Sequence, residues 1–168
     1  MLRPMNHIET AFTGETELDA LTVVGFSIRT TNAEAAQTIP PLWHKVMSSD
    51  LLRTVPDARC EIKGEDEVPL VALYGEYESD HTGAYTLTVG VLVSKDHIAG
   101  PGMTMRAVPK QRYARIEARG EPAAATWAAW QWAWRELSPR RAFTADLEIH
   151  RPSCAMTGPV ELLVALAP

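Results

Sequence analysis

Phe143–His150 reads FTADLEIH and alternates between apolar and polar side chains, as expected for a β-strand. Its apolar side chains fall on one predicted face, which belongs against a core: Ala145, Leu147 and Ile149. Its polar side chains fall on the other face: Thr144, Asp146, Glu148 and His150. Two carboxylates and an imidazole on one face indicate either a surface open to water or the floor of a cleft that binds a cation.

An earlier stretch, Leu70–Glu78, repeats this alternation. One predicted face carries Val71, Leu73 and Tyr77. The other predicted face carries Ala72, Tyr74, Glu76 and Glu78. If the two strands lie side by side in one sheet, several carboxylates and a tyrosine share a face away from the core. The residues alone favour a water-exposed face of an antiparallel sheet over a cation-binding cleft.

The composition indicates one globular domain. The chain has 168 residues, 46% of them hydrophobic, and no apolar run approaches the length of a membrane span, so no membrane partner is expected. The N-terminus lacks the apolar segment of a signal peptide, so we expect a cytoplasmic location. Cys60 and Cys154 lack CxxC spacing and are expected to be reduced thiols. A net charge of −5, with no basic block longer than Arg140-Arg141, argues against direct nucleic-acid binding and is compatible with a cationic ligand.

The first half of the chain predicts a strand, a helix and a hairpin, after a weak strand pattern within residues 1–20. Leu21–Thr30 is rich in β-branched residues and predicts a strand. A helix follows over about Ala33–Ser49, and Pro40-Pro41 predicts a break that divides it into two pieces. The half ends with two strands that predict a hairpin: Leu70–Glu78 and Ala84–Val93.

The second half repeats the order of strand, helix, strand and strand. Met103–Gly120 predicts one long bent strand, or two strands interrupted at Pro109-Lys110. Glu121–Leu137 predicts a helix that ends before Ser138-Pro139. Two further strands complete the half: Phe143–His150 and Val160–Ala167.

The repeated order predicts an α+β fold of duplicated βαββ modules related by pseudo-twofold symmetry. The pseudo-repeats cover about residues 21–94 and 103–167 of a single domain, residues 1–168. Short hairpin connections predict an antiparallel sheet with both helices on one face. The other face is expected to be uncovered and to carry a ligand cleft along the junction between the halves.

The second predicted helix is rich in tryptophan. Trp127, Trp130 and Trp134 are spaced three and four residues apart and share one helical stripe, whereas Trp132 points elsewhere. The favoured interpretation is that the stripe packs against the sheet, because indoles dominate core burial. The alternative is that one indole, Trp127, lines a ligand cleft. Trp43, just after the predicted helix break, is the better candidate for a cleft residue.

No motif indicates a metal, a cofactor or a nucleotide. The five histidines show no metal-ligand spacing: His7, His44, His81, His97 and His150. GxSxG, P-loop and GxGxxG patterns are absent from any fitting context. Composition alone leaves a Ser-His-Asp triad open, although nothing points to one. We therefore expect neither a cofactor nor a metal.

Five blocks of the sequence resemble the GyrI-like small-molecule-binding domain family, which includes the effector-binding domains of AraC-type and MerR-type regulators. The blocks follow the family's order over nearly all of residues 21–167: VVGFSIRTTN (Val23–Asn32), IPPLWHKV (Ile39–Val46), YGEYESDHTGAYTLTVGVLV (Tyr74–Val93), VPKQRYARIEARG (Val108–Gly120) and FTADLEIH (Phe143–His150). The resemblance implies two βαββ modules with a ligand cleft between them. Members often bind lipophilic cations with a buried glutamate surrounded by aromatic side chains.

The resemblance also implies which residues form the site. The family glutamate falls on Glu148. The tyrosine-rich strand falls on Tyr74 and Tyr77, and the aromatic residue after the helix break falls on Trp43. Many relatives have an aromatic residue two positions after the glutamate, where this sequence has His150, so the cleft is expected to be less aromatic and responsive to pH. No helix-turn-helix motif accompanies the match, and we expect a free-standing module rather than a DNA-binding regulator.

Three functions stay open at this point. The first is a binding module that captures a drug-like, planar or amphipathic cation over Glu148, with Glu78, Trp127 and His150 as further candidate ligand-binding residues. The second is a hydrolase of strained, cyclopropane-containing toxins, as the resemblance implies for some relatives, in which Glu148 or Glu78 activates a water or protonates a leaving group. The third is a partner-binding domain that inhibits a larger enzyme.

Burial would give Glu148 a reason to select cations. A carboxylate buried alone stays charged only at a cost of several kcal/mol, and a bound cation relieves that cost. Aromatic walls add roughly 0.5 to 2 kcal/mol for each well-placed contact with the cation. Glu148→Gln is then expected to weaken cation binding, while the stability of the fold holds or rises.

Overall fold

One eight-stranded sheet and three α-helices make up the computed structural model of the chain, which describes residues 7–55, 58, 66–156 and 158–168. The strands are β1 Glu9–Leu18, β2 Leu21–Thr30, β3 Leu70–Gly75, β4 Tyr85–Val93, β5 Thr104–Val108, β6 Gln111–Arg119, β7 Ala145–His150 and β8 Val160–Ala165. The helices are α1 Ala35–Ser49, α2 Leu51–Thr54 and α3 Pro122–Glu136. All neighbouring strands are antiparallel, so the predicted α+β class and the antiparallel pairing are confirmed.

The order of strands across the sheet is palindromic: β1-β6-β8-β7-β3-β4-β2-β5. Exchanging β1–β4 with β5–β8 reverses this order, so the strands follow the predicted pseudo-twofold symmetry. Each unit has one more strand, β1 or β5, ahead of the predicted βαββ order. β3 and β7 meet at the centre, where Ala72 pairs with Glu148 and Tyr74 pairs with Asp146. The two acid-bearing strands therefore lie side by side, as predicted, along the junction between the halves.

The edge strands cross from one half to the other. β1 pairs with β6, and β5 pairs with β2. The chain leaves β5 and enters β6 at Pro109-Lys110, where proline has no N–H to continue a ladder. Of the two alternatives predicted for Met103–Gly120, the structure has the second, two strands interrupted at Pro109-Lys110. The weak pattern near the N-terminus corresponds to β1, whose pairing with β6 supplies the stability that its own sequence lacks.

Helix α1 runs without interruption through Pro40 and Pro41, so the predicted break is wrong. The two missing N–H groups would have bonded to the carbonyls of Ala36 and Gln37, at the start of the helix. Only the first turns therefore lose hydrogen bonds, and the later turns keep theirs. Leu42 is buried against the sheet and holds the helix in place.

Helix α3 packs on the sheet through alanines rather than through its tryptophan stripe. The fully buried positions are four residues apart: Ala125, Ala129 and Ala133. Alanine lets the helix approach the strands closely, so the larger indoles remain at the side of the helix, next to the space between α3 and α1. The favoured expectation that the stripe is the packing face is therefore wrong for the helix as a whole, although Trp130 is buried.

The face of the sheet away from the helices is also buried. Its apolar cluster joins Leu21 from one half with Val108, Tyr113 and Ala165 from the other. No helix of the described ranges belongs to this cluster, so the strands themselves must curl around it, in keeping with the twist of antiparallel sheets. The expectation of an uncovered face is therefore wrong.

Cys154 is a free, partly buried thiol in a short 3₁₀ turn, Pro152–Cys154. Cys60, which is also expected to be reduced, lies outside the described residues. Within the described ranges, every helix is too short or too polar to cross a membrane.

Candidate ligand-binding site

A cavity of about 460 Å³ opens between α1, α3 and the side of the sheet that the helices cover. Its aromatic lining comes from both helices, from β3 and β4, and from the turn between these strands: Trp43, Tyr74, Tyr77, Tyr85, Trp127, Trp130 and Trp134. The prediction that the cleft lies on the face away from the helices is wrong. The opposite face is filled by its own core, whereas the two helices stand apart and leave a gap over β3 and β7.

Glu148 lies on the floor of this cavity and is only 2% exposed. Its Oε2 accepts hydrogen bonds from the Tyr74 hydroxyl at 2.6 Å and from the Trp130 indole N–H at 2.7 Å. Its Oε1 lies 2.9 Å from Nε2 of His150. Three side chains from β3, α3 and β7 therefore converge on one carboxylate.

The hydrogen bonds decide the charge of Glu148. Burial by itself would raise the pKa of this carboxyl, but the hydrogen bond and charge of His150, followed by the bonds from Trp130 and Tyr74, outweigh it and lower the pKa below its ordinary value. Glu148 is therefore a carboxylate at neutral pH. The expectation of a buried carboxylate without partners is wrong, because three donors replace the water that burial removes.

A second buried carboxylate, Asp146, is neutralised by the protein itself. Nη2 of Arg141 lies 2.8 Å from Oδ2 of Asp146, and both side chains are buried. Tyr77 donates its hydroxyl to the same Oδ2, and the backbone N–H of Ala165 donates to Oδ1. The guanidinium also stacks over the ring of Phe143, 4.2 Å from its centroid. Asp146 and Arg141 thus form a buried ion pair. Among the described side chains bonded to Glu148, only that of His150 can carry a positive charge.

The backbone at Glu76 brings Tyr77 to the cavity. β3 ends at Gly75, and Glu76 adopts a left-handed conformation with φ of 49°. The left-handed residue reverses the alternation of side chains, so Tyr77 faces the same side of the sheet as Tyr74. The prediction that these two tyrosines lie on opposite faces is therefore wrong. The conformation is held by the Glu76 side chain, which accepts hydrogen bonds from Arg106 at 2.7 Å and from the Thr86 hydroxyl at 2.6 Å.

The tyrosines of the cavity are held in their protonated form. Burial, together with the neighbouring Glu148, raises the pKa of Tyr74 well above its ordinary value. Burial and the neighbouring Asp146 do the same for the pKa of Tyr77. Burial raises the pKa of Tyr85 to about 12. All three hydroxyls therefore remain hydrogen-bond donors over the physiological range.

The indoles form the wall and the mouth of the cavity. Trp43 meets the ring of His150 edge-on, with centroids 4.9 Å apart. Trp127 is 56% exposed and packs edge-on against Trp134 at 5.2 Å, so it stands at the opening. The ring of His81 also stacks on Trp134, with centroids 6.1 Å apart.

Six of the seven predicted site residues line the cavity: Trp43, Tyr74, Tyr77, Trp127, Glu148 and His150. Glu78 does not. It is exposed in the turn between β3 and β4, where its backbone N–H donates to the carbonyl of Ala84. The loss of alternation at Glu76 moves this side chain away from the sheet face that carries Glu148.

The lining and supporting residues that were not predicted as site residues include Tyr85, Trp130, Trp134, Asp146 and Arg141. Asp146 could have been found, since it alternates with Glu148 on one strand face. Trp130 belongs to the helical stripe that was assigned to the core, and a core assignment gives no reason to expect its hydrogen bond to Glu148. No local sequence pattern identifies Arg141 as a site residue, because its contact with Asp146 forms only when β7 takes its place in the sheet.

Comparison with known proteins identifies the family. A family model described as the integron-associated effector binding protein, Cass2, matches residues 16–166 and so spans β2 through β8. YobU of Bacillus subtilis (strain 168), whose name places it among transcriptional regulators, is 30% identical over 153 residues, which cover 86% of this chain and 90% of YobU.

Solved structures share the fold. An integron cassette protein from the mobile metagenome of Vibrio cholerae has a TM-score of 0.68 at 27% identity, and the match covers 94% of this chain and 99% of that one. SAV2435, whose structure was solved bound to tetraphenylphosphonium, has a TM-score of 0.73 at 13% identity, covering 91% and 92% of the two chains. The resemblance to GyrI-like domains is confirmed, and the chain belongs to the Cass2 family of integron-associated effector-binding proteins.

Proposed function

We propose that the chain captures small lipophilic or planar monocations, of the size of drug molecules, in the aromatic cavity over Glu148. The observation that carries this proposal is a charged, buried carboxylate on the floor of a cavity whose other walls are mostly indole and phenol rings. A volume of about 460 Å³ lies within the range of roughly 300 to 1,000 Å³ typical of small-molecule sites.

The aromatic walls favour a cation over a neutral molecule of the same shape. Ring faces attract positive charge, with roughly 0.5 to 2 kcal/mol for each well-placed contact. Tyr74 and Trp130 meet edge-on at 4.8 Å, and their polar hydrogens are turned to Glu148 rather than to the ligand. The rings can therefore present carbon surface to a lipophilic molecule while Glu148 supplies the attraction.

The charges around the cavity favour a single positive charge on the ligand. Arg141 and Asp146 neutralise each other, so they contribute no net charge. Glu148 remains, and its attraction for a cation is screened less in this apolar setting than at the surface. A dication would lack a second counter-charge among the described lining residues.

The comparisons support the same class of function. The family description names effector binding, and SAV2435, which shares the fold, was solved with a lipophilic cation. Both support the binding of a small molecule. The cationic ligand and the role of Glu148 are our proposal for this chain.

A hydrolase built on Glu148 is the weaker alternative. A general acid or base works best when its pKa lies near the operating pH, and the hydrogen bonds to Glu148 move its pKa in the opposite direction. Glu78, the other candidate for this role, lies outside the cavity. The geometry thus favours capture of an intact molecule.

Titration with tetraphenylphosphonium, followed by calorimetry and by tryptophan fluorescence, tests the proposal, with triphenylphosphine oxide as a neutral ligand of similar shape. Glu148→Gln should reduce the affinity for the cation by about 1 to 3 kcal/mol, the scale of hydrogen bonds that involve a charged group. The affinity for the neutral ligand should change little.

Glu161→Gln is the matched control. Glu161 is equally buried, but it lies on the opposite face of the sheet, where it pairs with Arg115 at 3.0 Å. This variant should bind the cation as the unmodified chain does. Equal losses for both ligands in Glu148→Gln would show that Glu148 only shapes the cavity, and no binding of either ligand would refute the proposed function.

A further inference from the structure

The side chain next to Glu148 that opens to the cavity is a histidine. Nε2 of His150 lies 2.9 Å from Oε1 of Glu148, and the side chain is 21% exposed. We infer that His150 is a resident competitor for the ligand: its protonated ring serves as the counter-ion of Glu148, so that capture of a cation expels a proton from His150. The inference rests on the proposed function and names the property that would select and release its ligand.

The strand geometry fixes this contact. Glu148 and His150 are two residues apart on β7, so their side chains leave the same face of the sheet. The ring of His150 reaches back to the carboxylate, and Trp43 of α1 covers it edge-on at 4.9 Å. The imidazole therefore occupies the gap between the carboxylate and the wall of the cavity. A ligand that approaches Oε1 must share this space with it.

No second charge competes for the ring among the described neighbours. α1 presents the indole of Trp43, and β3 places Leu70 opposite His150. The guanidinium of Arg151, the next residue, turns to Glu161 on the other face of the sheet at 3.5 Å. The remaining titratable or charged side chains that line the cavity are His81, Tyr74, Tyr77, Tyr85 and Arg141. Glu148 is thus the acidic group that His150 faces.

The two protonation states of His150 differ in what they offer a ligand. Neutral imidazole can donate Nε2–H to Glu148 and leaves the pair with one negative charge. Imidazolium makes the same contact but leaves the pair with no net charge and repels a second cation. Histidine changes its charge between about pH 5 and 8, whereas the pKa of Glu148 is lowered, so the carboxylate stays ionised in that window. The competition predicts tight binding of cations above neutral pH and release on mild acidification.

Tetraphenylphosphonium tests the coupling because its charge is permanent. Its affinity, measured by calorimetry from pH 5 to pH 8, should fall as the pH is lowered, by at most about tenfold per pH unit, the limit for release of one proton. Repeating the titrations in two buffers of different ionisation enthalpy gives the number of protons released, which should approach one at the acid end. Binding of triphenylphosphine oxide should not depend on pH.

Three variants locate the proton. His150→Gln keeps an N–H donor near Glu148 without a titration, and its cation affinity should be independent of pH over the same range. His81→Gln removes the other histidine of the cavity, and His44→Gln removes an exposed histidine of α1. In both variants, the affinity for tetraphenylphosphonium should depend on pH as it does in the unmodified chain.

The outcomes separate this inference from the proposed function. Binding without pH dependence or proton release would overturn the inference and leave the proposed function standing. The inference would also be overturned if cation affinity still depended on pH in His150→Gln, or no longer depended on pH in His81→Gln. Failure of tetraphenylphosphonium to bind at any pH would overturn the proposed function, and the inference with it.

Discussion

Trp130 donates its indole N–H to Oε2 of Glu148 across 2.7 Å, which ties helix α3 to strand β7. Tyr74 donates to the same oxygen and packs edge-on against Trp130 at 4.8 Å. The charge on the floor of the cavity and two of its walls are therefore one hydrogen-bonded unit. Changing any of the three residues alters the stability of the fold as well as the surface offered to a ligand.

Glu148→Gln should destabilise the protein, in contrast to the expectation from the sequence. Three donors converge on the carboxylate, and glutamine can accept from only one of its two terminal atoms. We expect the free energy of unfolding at pH 7 to fall by about 1 to 3 kcal/mol. Urea unfolding followed by circular dichroism measures it.

The difference in stability between the unmodified chain and Glu148→Gln should also depend on pH. The pKa of Glu148 is lowered in the folded state, so its contribution is complete above the ordinary carboxyl pKa and is lost as the pH falls through the folded pKa. The stabilities of the unmodified chain and of Glu148→Gln should therefore converge in acid. A constant gap down to about pH 3 would contradict this assignment.

Alkaline conditions should destabilise the fold through its tyrosines. Burial raises the pKa of Tyr85 and Tyr113 to about 12, and it raises the pKa of Tyr74 and Tyr77 well above the ordinary value. Groups with a raised folded pKa stabilise fully below their ordinary pKa, here near 10, and lose that contribution as the pH rises above it.

Phenolate absorbance measures the ionisation of the tyrosines directly, since the chain has four tyrosines and the pKa of each is raised. Absorbance should stay low at pH 10 to about 11 while the far-ultraviolet circular dichroism is native, and should rise only as the chain unfolds. Full ionisation near pH 10 in a folded chain would be the contrary result. Tyr85→Phe should reduce the alkaline loss of stability.

Trp127 and Trp130 should respond differently to substitution although they share a helical stripe. Trp127 is 56% exposed, so Trp127→Ala should change stability by no more than about 0.5 kcal/mol. It should weaken binding of tetraphenylphosphonium by about 0.5 to 2 kcal/mol, the value of a ring contact. Trp130→Phe keeps most of the ring but loses the bond to Glu148, and should lower stability by about 1 to 3 kcal/mol. Equal stability losses in the two variants would argue against the assigned orientations.

The close approach of α3 to the sheet depends on Ala129. Ala129→Leu adds volume where no space remains, and should lower the free energy of unfolding by about 1 to 3 kcal/mol. Ala124→Leu on the exposed side of the same helix is the matched control and should have little effect. Thermal unfolding of both variants compares them, and tolerance of leucine at Ala129 would mean that α3 packs through another face.

The local pattern of the sequence predicted most elements and one important grouping. Alternation in Phe143–His150 and in Ala84–Val93 predicted both strands and their faces, because successive side chains of a strand point to opposite sides. The same alternation placed Glu148 with His150. The Glu121 cap and the proline after it likewise define the start of α3, where the carboxylate accepts from the N–H groups of Ala123 and Ala124.

Only the tertiary structure decided which face carries the cleft and what holds Glu148. Both faces of β4 and β8 are buried, so the pattern of apolar residues does not say which of them the helices cover. The donors to Glu148 from Tyr74 and Trp130 are 74 and 18 residues away, a distance that no local periodicity spans. Tyr77 reaches the cavity through the left-handed backbone of Glu76, a conformation that long-range bonds to Arg106 and Thr86 hold against the preference of an ordinary residue.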